Sequence, residues 1–181
     1  MEKLLQVALV IALLASYAGA QKNTQQTESA KSPVMDAVRH VLARQQKNLV
    51  AAAQEMPADK YSFHPTPPQM SFATLIGHIA ESNNLLCSRI GNVEQPKDAE
   101  AKESDSKEKL APPLTKSFDF CNEALAKVDD SKLGDQVKIF GGREASKATA
   151  AIALTNDWAD HYAMAAMYLR LNGMLPPTAK K

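Results

Sequence analysis

The chain has 181 residues, 21 Lys and Arg against 20 Asp and Glu, 45% hydrophobic residues and two cysteines. A formal charge of +1, with lysines interspersed among acids and no basic stripe, argues against nucleic acid as a partner. The length suits one domain with a real core and is too short for two ordinary ones.

The first twenty residues read as a targeting segment. Met1-Glu2-Lys3 gives a thin positive start, Leu4 to Ala15 is hydrocarbon broken only by Gln6, and Ala18-Gly19-Ala20 fits the small-x-small rule of signal peptidase. The apolar run is short for a membrane span, and no other stretch approaches eighteen apolar residues. The expectation is a signal peptide over 1–20, a flexible polar leader over 21–32, and a single domain over 33–178, exported to the periplasm or secreted, with no stable membrane span after cleavage. A retained N-terminal anchor is the lesser alternative.

Four amphipathic helices follow. The first starts after Pro33 and carries Val34, Val38, Val41, Leu42, Gln45, Leu49, Ala52 and Met56 near a 3.6-residue period, until Pro57 ends it. The run Phe63-His64-Pro65-Thr66-Pro67-Pro68 has fixed φ angles and missing donors, which predicts an extended strap across the bundle end. Helix two begins behind a Ser71 cap and places Phe72, Leu75, Ile76, Ile79, Asn83, Leu86 and Ile90 on one face, stopping at Gly91-Asn92. Glu94 to Lys109 has no hydrophobic period and reads as a long solvated connector.

Helix three is expected to open at Thr115, after Pro112-Pro113, and to close near Asp129-Asp130. Val137 to Phe140 is apolar and reads as a plug at one end of the core, with Gly141-Gly142 as the turn. That Gly-Gly pair lacks the spacing of a phosphate loop, so a structural turn is favoured over an anion site. Helix four runs from near Ser146 to Asn172-Gly173, with Pro176-Pro177 beyond as a stop. No strand pattern appears, and the fold class is all-α, an antiparallel-type four-helix bundle.

Helix four carries the most informative pair. Asp157 and His161 are four residues apart, hence on one side of the helix, beside the stripe Leu154, Trp158, Ala165, Tyr168, Leu171. A buried carboxylate and imidazole are costly unless hydrogen-bonded, paired or bound to a cation. The pair therefore calls for a partner, and His78 on helix two is the best candidate.

The stretches MSFATLIGHIAESNNLLCS, FGGREASKATA and NDWADHYAMAAMYLRLNGMLPP, together with the strap YSFHPTPPQMSF, resemble the DinB-like (DinB/YfiT-type) four-helix bundle family, and exported members in particular. The likeness covers most of residues 34–178. It implies a metal site built from a histidine in helix two and two histidines spaced i, i+4 in the last helix, at the positions of His78, Asp157 and His161. The chain departs from that pattern, because Asp157 stands where an imidazole is usual. Two histidines and one carboxylate still form a legitimate ligand set for zinc, nickel, iron or manganese with positions left open. The added negative charge makes a bound water a weaker acid. A member that has lost its metal is the competing expectation.

The other polar candidates carry blander expectations. Asp160 reads as a solvated acid before a supporting carboxylate, and Trp158 and Tyr162 read as core aromatics. His40 reads as a surface residue, while His64 in the strap could reach the rim of a site. In an exported protein the two cysteines favour pairing, so Cys87 and Cys121 are expected to form a disulfide clipping helix two to helix three, with catalytic use the minor alternative. The chain-entropy model assigns such a bridge roughly 3 to 4 kcal/mol.

Three functions remain in view. The first is a metal-dependent enzyme of hydrolase type acting on a small molecule. The second is a non-catalytic bundle that binds a small ligand or a protein. The third is a stress-related exported structural protein that uses the bundle surface, with a homodimer as one form. Thiol transfer is demoted, since an exported protein meets little reduced thiol.

Overall fold

The structure is a computed structural model that describes residues 32–97 and 101–180, so the signal-peptide and leader readings over 1–31 lie outside the described residues. Among the described residues four α-helices carry the fold: α1 (Pro33–Glu55), α2 (Phe72–Gly91), α3 (Lys107–Leu125) and α4 (Lys147–Leu171). The expected all-α bundle is what the chain forms. Within the described residues, no helix is long and apolar enough to cross a membrane.

Helix direction follows from the cross-links. Asn83 bonds Ser117 and Cys87 joins Cys121, two pairs with the same 34-residue separation, so α2 and α3 run parallel. Lys107, at the start of α3, donates to the carbonyls of Gln54 and Met56 at the end of α1. Asp130, just past the end of α3, accepts from the N–H groups of Val34 and Met35 at the start of α1. Those two helices are therefore antiparallel, and the Tyr168 hydroxyl, donating to the Met70 carbonyl just before α2, sets α4 antiparallel to α2. The bundle is up, down, down, up. This corrects the simple antiparallel expectation: the connector between α2 and α3 is a crossover that must return the length of the bundle.

That connector is also tied down more than its polar composition suggests. Ala101 N–H donates to Glu81, Glu103 pairs with His64 on the strap, and Asp105 accepts from Lys102 N–H and Lys109. Ala101 lies so close to α2 that a Cβ on Gly77 would meet its own Cβ.

Helix three begins eight residues before the expected Thr115 and contains Pro112 and Pro113. Each proline removes one helical N–H, which normally argues for a break. Here Leu110, Ala111 and Leu114 are buried, and their packing outweighs the missing bonds. Thr115 is consequently no cap: its hydroxyl donates back to the Ala111 carbonyl. The helix also ends at Leu125, before Asp129-Asp130, and those acids cap other segments instead. Asp129 accepts from Ser131 N–H, and Asp130 caps α1, whose Ser32 makes no side-chain cap of its own.

The segment before α4 forms a short antiparallel hairpin, β1 (Gln136–Lys138) with β2 (Glu144–Ser146), which the absence of a strand pattern had not predicted. Gly141 and Gly142, both at positive φ, make its turn as expected. Only Ile139 of the expected plug is buried; Phe140 is 41% exposed. Ser71 and Ser146 cap α2 and α4 by accepting from the N–H groups of Thr74 and Thr149, and Asn92 ends α2 in the left-handed conformation. The strap packs Phe63 edge-on against Tyr168, fixing the end of α4 beside the start of α2.

Candidate metal centre

Helices α2 and α4 bring His78, Asp157 and His161 together, with one potential ligand atom from each lying within 4.8 Å of the others. Ligand atoms around an ion held at about 2.1 Å stand about 3.0 to 3.4 Å apart, so small side-chain rotations close the set. The rings of His78 and His161 are 4.8 Å apart, centroid to centroid, tilted by 55°. The side chains of His161 and Asp157 are 12% and 13% exposed, and His78 is half-buried. The centre is sheltered without being sealed.

The hydrogen bonds give the donors their roles. His161 Nδ1 lies 2.6 Å from the main-chain carbonyl of Asp157, an acceptor, so Nδ1 carries the proton and the lone pair of the neutral ring falls on Nε2. Asp157 Oδ2 is buried with no hydrogen bond; His161 Nδ1 lies 3.4 Å from it and donates to the carbonyl. A buried carboxylate with one oxygen unsatisfied, grouped with two imidazoles, is a donor set that a divalent cation fits. Ser82 Oγ, one turn along α2, lies 3.5 Å from His78 Nε2.

Electrostatics favour a positive charge here. Burial is the largest single influence on His161 and opposes protonation, but the Asp157 carboxylate, its carbonyl and the charge of Asp160 together outweigh it and raise the pKa above the usual histidine value. Asp160 itself is exposed, as the solvated reading expected, and acts on the site through its field.

The remaining sequence candidates lie elsewhere. His40 is exposed on α1. His64 holds the strap to the connector: Nδ1 lies 2.8 Å from the Gln69 carbonyl and Nε2 2.6 Å from Glu103, and these two acceptors, the carbonyl first, raise its pKa. Tyr162 is half-buried and donates to Thr178, while Trp158 is fully buried against Phe118. Cys87 and Cys121 are joined in a disulfide, with Cα atoms 5.2 Å apart, and both are fully buried. One polar residue beside the site was not singled out from sequence. Asn83 accepts from the Trp158 indole N–H at 2.6 Å, and an Asn on an otherwise apolar helix face was the signal for it.

Residues 41–165 match the model of the DinB superfamily. The chain belongs to the DinB superfamily. Among solved structures, a DinB-like protein from Bacillus cereus ATCC 10987 superposes with a TM-score of 0.64 at 17% identity, over 78% of this chain and 95% of that one. A DinB-like protein from Bacillus subtilis gives 0.62 at 19% identity, over 81% and 99%. A mycothiol-dependent maleylpyruvate isomerase gives 0.58 at 11% identity, over 71% of this chain and 59% of its own. These likenesses concern the fold. No curated protein shows significant similarity to the chain.

Proposed function

We propose that this DinB-superfamily protein is exported and holds a divalent transition metal between His78, Asp157 and His161, serving a hydrolase-type reaction on a small molecule. The observation that carries the reading is the Asp157 carboxylate, one oxygen of it buried without a hydrogen bond, in a group with the His78 and His161 rings whose ligand atoms lie within 4.8 Å of one another. His161 Nε2, one His78 ring nitrogen and Asp157 Oδ2 would be the ligands. A bound ion would supply Lewis acidity at its open positions, polarising a substrate oxygen or lowering the pKa of water from about 15.7 toward about 7.

The chain's own residues do the rest. The Asp157 carbonyl fixes the His161 ring through Nδ1, and the Asp157 charge offsets that of the ion. Asp160 adds negative potential at the rim, which disfavours anionic substrates and favours neutral or cationic ones. Hydrolysis is preferred to the thiol-dependent chemistry in the name of one structural relative. Export removes the protein from reduced low-molecular-weight thiols, and its two cysteines are already spent in a disulfide.

A non-catalytic reading has one observation in its favour, since a protonated His161 paired with Asp157 would satisfy the cluster without an ion. Cobalt loading separates the two. Protein purified without nickel should develop the visible bands of a cobalt site with nitrogen and oxygen ligands, and chelator should abolish both these and any turnover of p-nitrophenyl acetate. A colourless protein whose ester turnover ignores chelator would favour the ion-pair reading. Export is tested by the mature N-terminus, expected near Gln21.

A further inference from the structure

The ligands of the proposed centre come from two helices, so their convergence depends on how α2 is set against α4. His78 lies on α2 and Asp157 and His161 on α4. Five residues beyond His78, Asn83 accepts from the indole N–H of Trp158 at 2.6 Å, and Trp158 immediately follows Asp157 and precedes His161 by three. Both residues are fully buried. One short bond therefore joins the two ligand-bearing helices within about a turn and a half of every ligand.

The Asn83 amide has no freedom to turn. An indole N–H only donates, which assigns Oδ1 to Trp158 and leaves Nδ2 to donate to Ser117 Oγ on α3 at 3.0 Å. The Ser117 hydroxyl then donates to the Leu114 carbonyl at 2.8 Å. The indole N–H, the Asn83 amide nitrogen and the Ser117 hydroxyl each donate to an acceptor, and such a connected buried network favours one arrangement. One turn further along the same pair of helices, the Cys87–Cys121 bridge holds α2 to α3. Asn83 thus transmits a register fixed on α3 to the helix that carries Asp157 and His161.

The geometry points to Asn83 as a positioning residue of the metal centre, holding α2 and α4 at the offset and rotation at which His78 meets Asp157 and His161. This rests on the metal-binding reading above. It also makes a claim that can be read without a metal, because it fixes the approach of the His78 and His161 rings, 4.8 Å apart centroid to centroid. Sites of this kind lose affinity when their ligands are displaced by fractions of an ångström.

Two variants test it. Asn83→Leu replaces the amide with an apolar side chain of similar size, and Trp158→Phe removes the indole N–H while keeping an aromatic ring against Phe118, so a folding failure in one leaves the other. Zinc affinity is measured by chelator competition well below the unfolding temperature, and ring-proton NOEs between His78 and His161 are recorded without metal. The expected result is a weakening of zinc binding by about tenfold or more with loss of the ring contact, in variants that keep wild-type helix content. Lower thermal stability with unchanged zinc affinity and an unchanged ring contact would overturn the role. Should the wild type bind none of zinc, iron, manganese and nickel, the metal reading fails, and the ring contact alone decides for or against Asn83.

Discussion

The Nδ1–H of His161 donates to the main-chain carbonyl of Asp157 across 2.6 Å, while the carboxylate of that same Asp157 is left with a buried oxygen that no hydrogen bond satisfies. The imidazole is oriented by the backbone. Because the carboxylate also helps to raise the His161 pKa, Asp157→Asn should lower it, leaving burial less opposed. The sign for stability follows. In chelator-treated wild type the protonated ring favours the fold below the unfolded value of about 6.5, and that contribution disappears as pH rises through the raised folded value. Ring-proton titration followed by NMR checks this, and an unmoved His161 titration in Asp157→Asn would contradict it.

The buried disulfide should behave as a structural bond. Replacing Cys87 and Cys121 by Ala is expected to lower unfolding free energy by roughly 3 to 4 kcal/mol, the chain-entropy value for a 34-residue loop. Urea melts measure the loss. In native protein the bridge should resist reductant until the bundle opens, so thiol labelling in dithiothreitol should rise only together with urea unfolding.

Capping separates the observed start of α3 from the one its prolines suggest. Asp130 accepts from two N–H groups at the start of α1, so Asp130→Ala should cost about 1 kcal/mol. Thr115 sits within α3 and bonds only the carbonyl of Ala111, so Thr115→Ala should stay within about 0.5 kcal/mol. Equal losses in denaturant melts would mean that Thr115 caps a helix after all.

The crossover connector is clasped by His64 and Glu103. The raised His64 pKa means that the clasp stabilises the connector fully below the ordinary histidine value and is lost as pH rises through the folded one. After correction for intrinsic rates, amide exchange over residues 101–105 should therefore be slower near pH 6 than near pH 8. His64→Ala should remove that difference. A wild type without the pH dependence would show that the clasp does not hold the connector.

What was legible in the sequence was local. Ser71 and Ser146 at helix starts, Gly91-Asn92 at a helix end and Gly141-Gly142 in a turn are settled within a few residues, and all stand where their chemistry puts them. The start of α3 was not legible, because Pro112 and Pro113 signal a break by local rules while the burial of Leu110 and Leu114 decides otherwise. The parallel pairing of α2 and α3 was hidden by a connector whose polar composition carries no sign of where it leads. The centre was half legible. Spacing put Asp157 and His161 on one side of α4, their need for a partner pointed to His78 and the family resemblance implied the same three positions, but the Asn83 bond to Trp158 joins residues 75 apart and needed the fold.

Metal content bears most directly on the central claim. Protein purified without chelator and without a nickel column, then analysed for elements, should carry close to one divalent transition metal per chain, lost in His78→Ala and in His161→Ala while helix content is kept. A wild type that stays metal-free after incubation with zinc, iron, manganese and nickel salts would contradict the account and leave a helical bundle with a buried His–Asp pair.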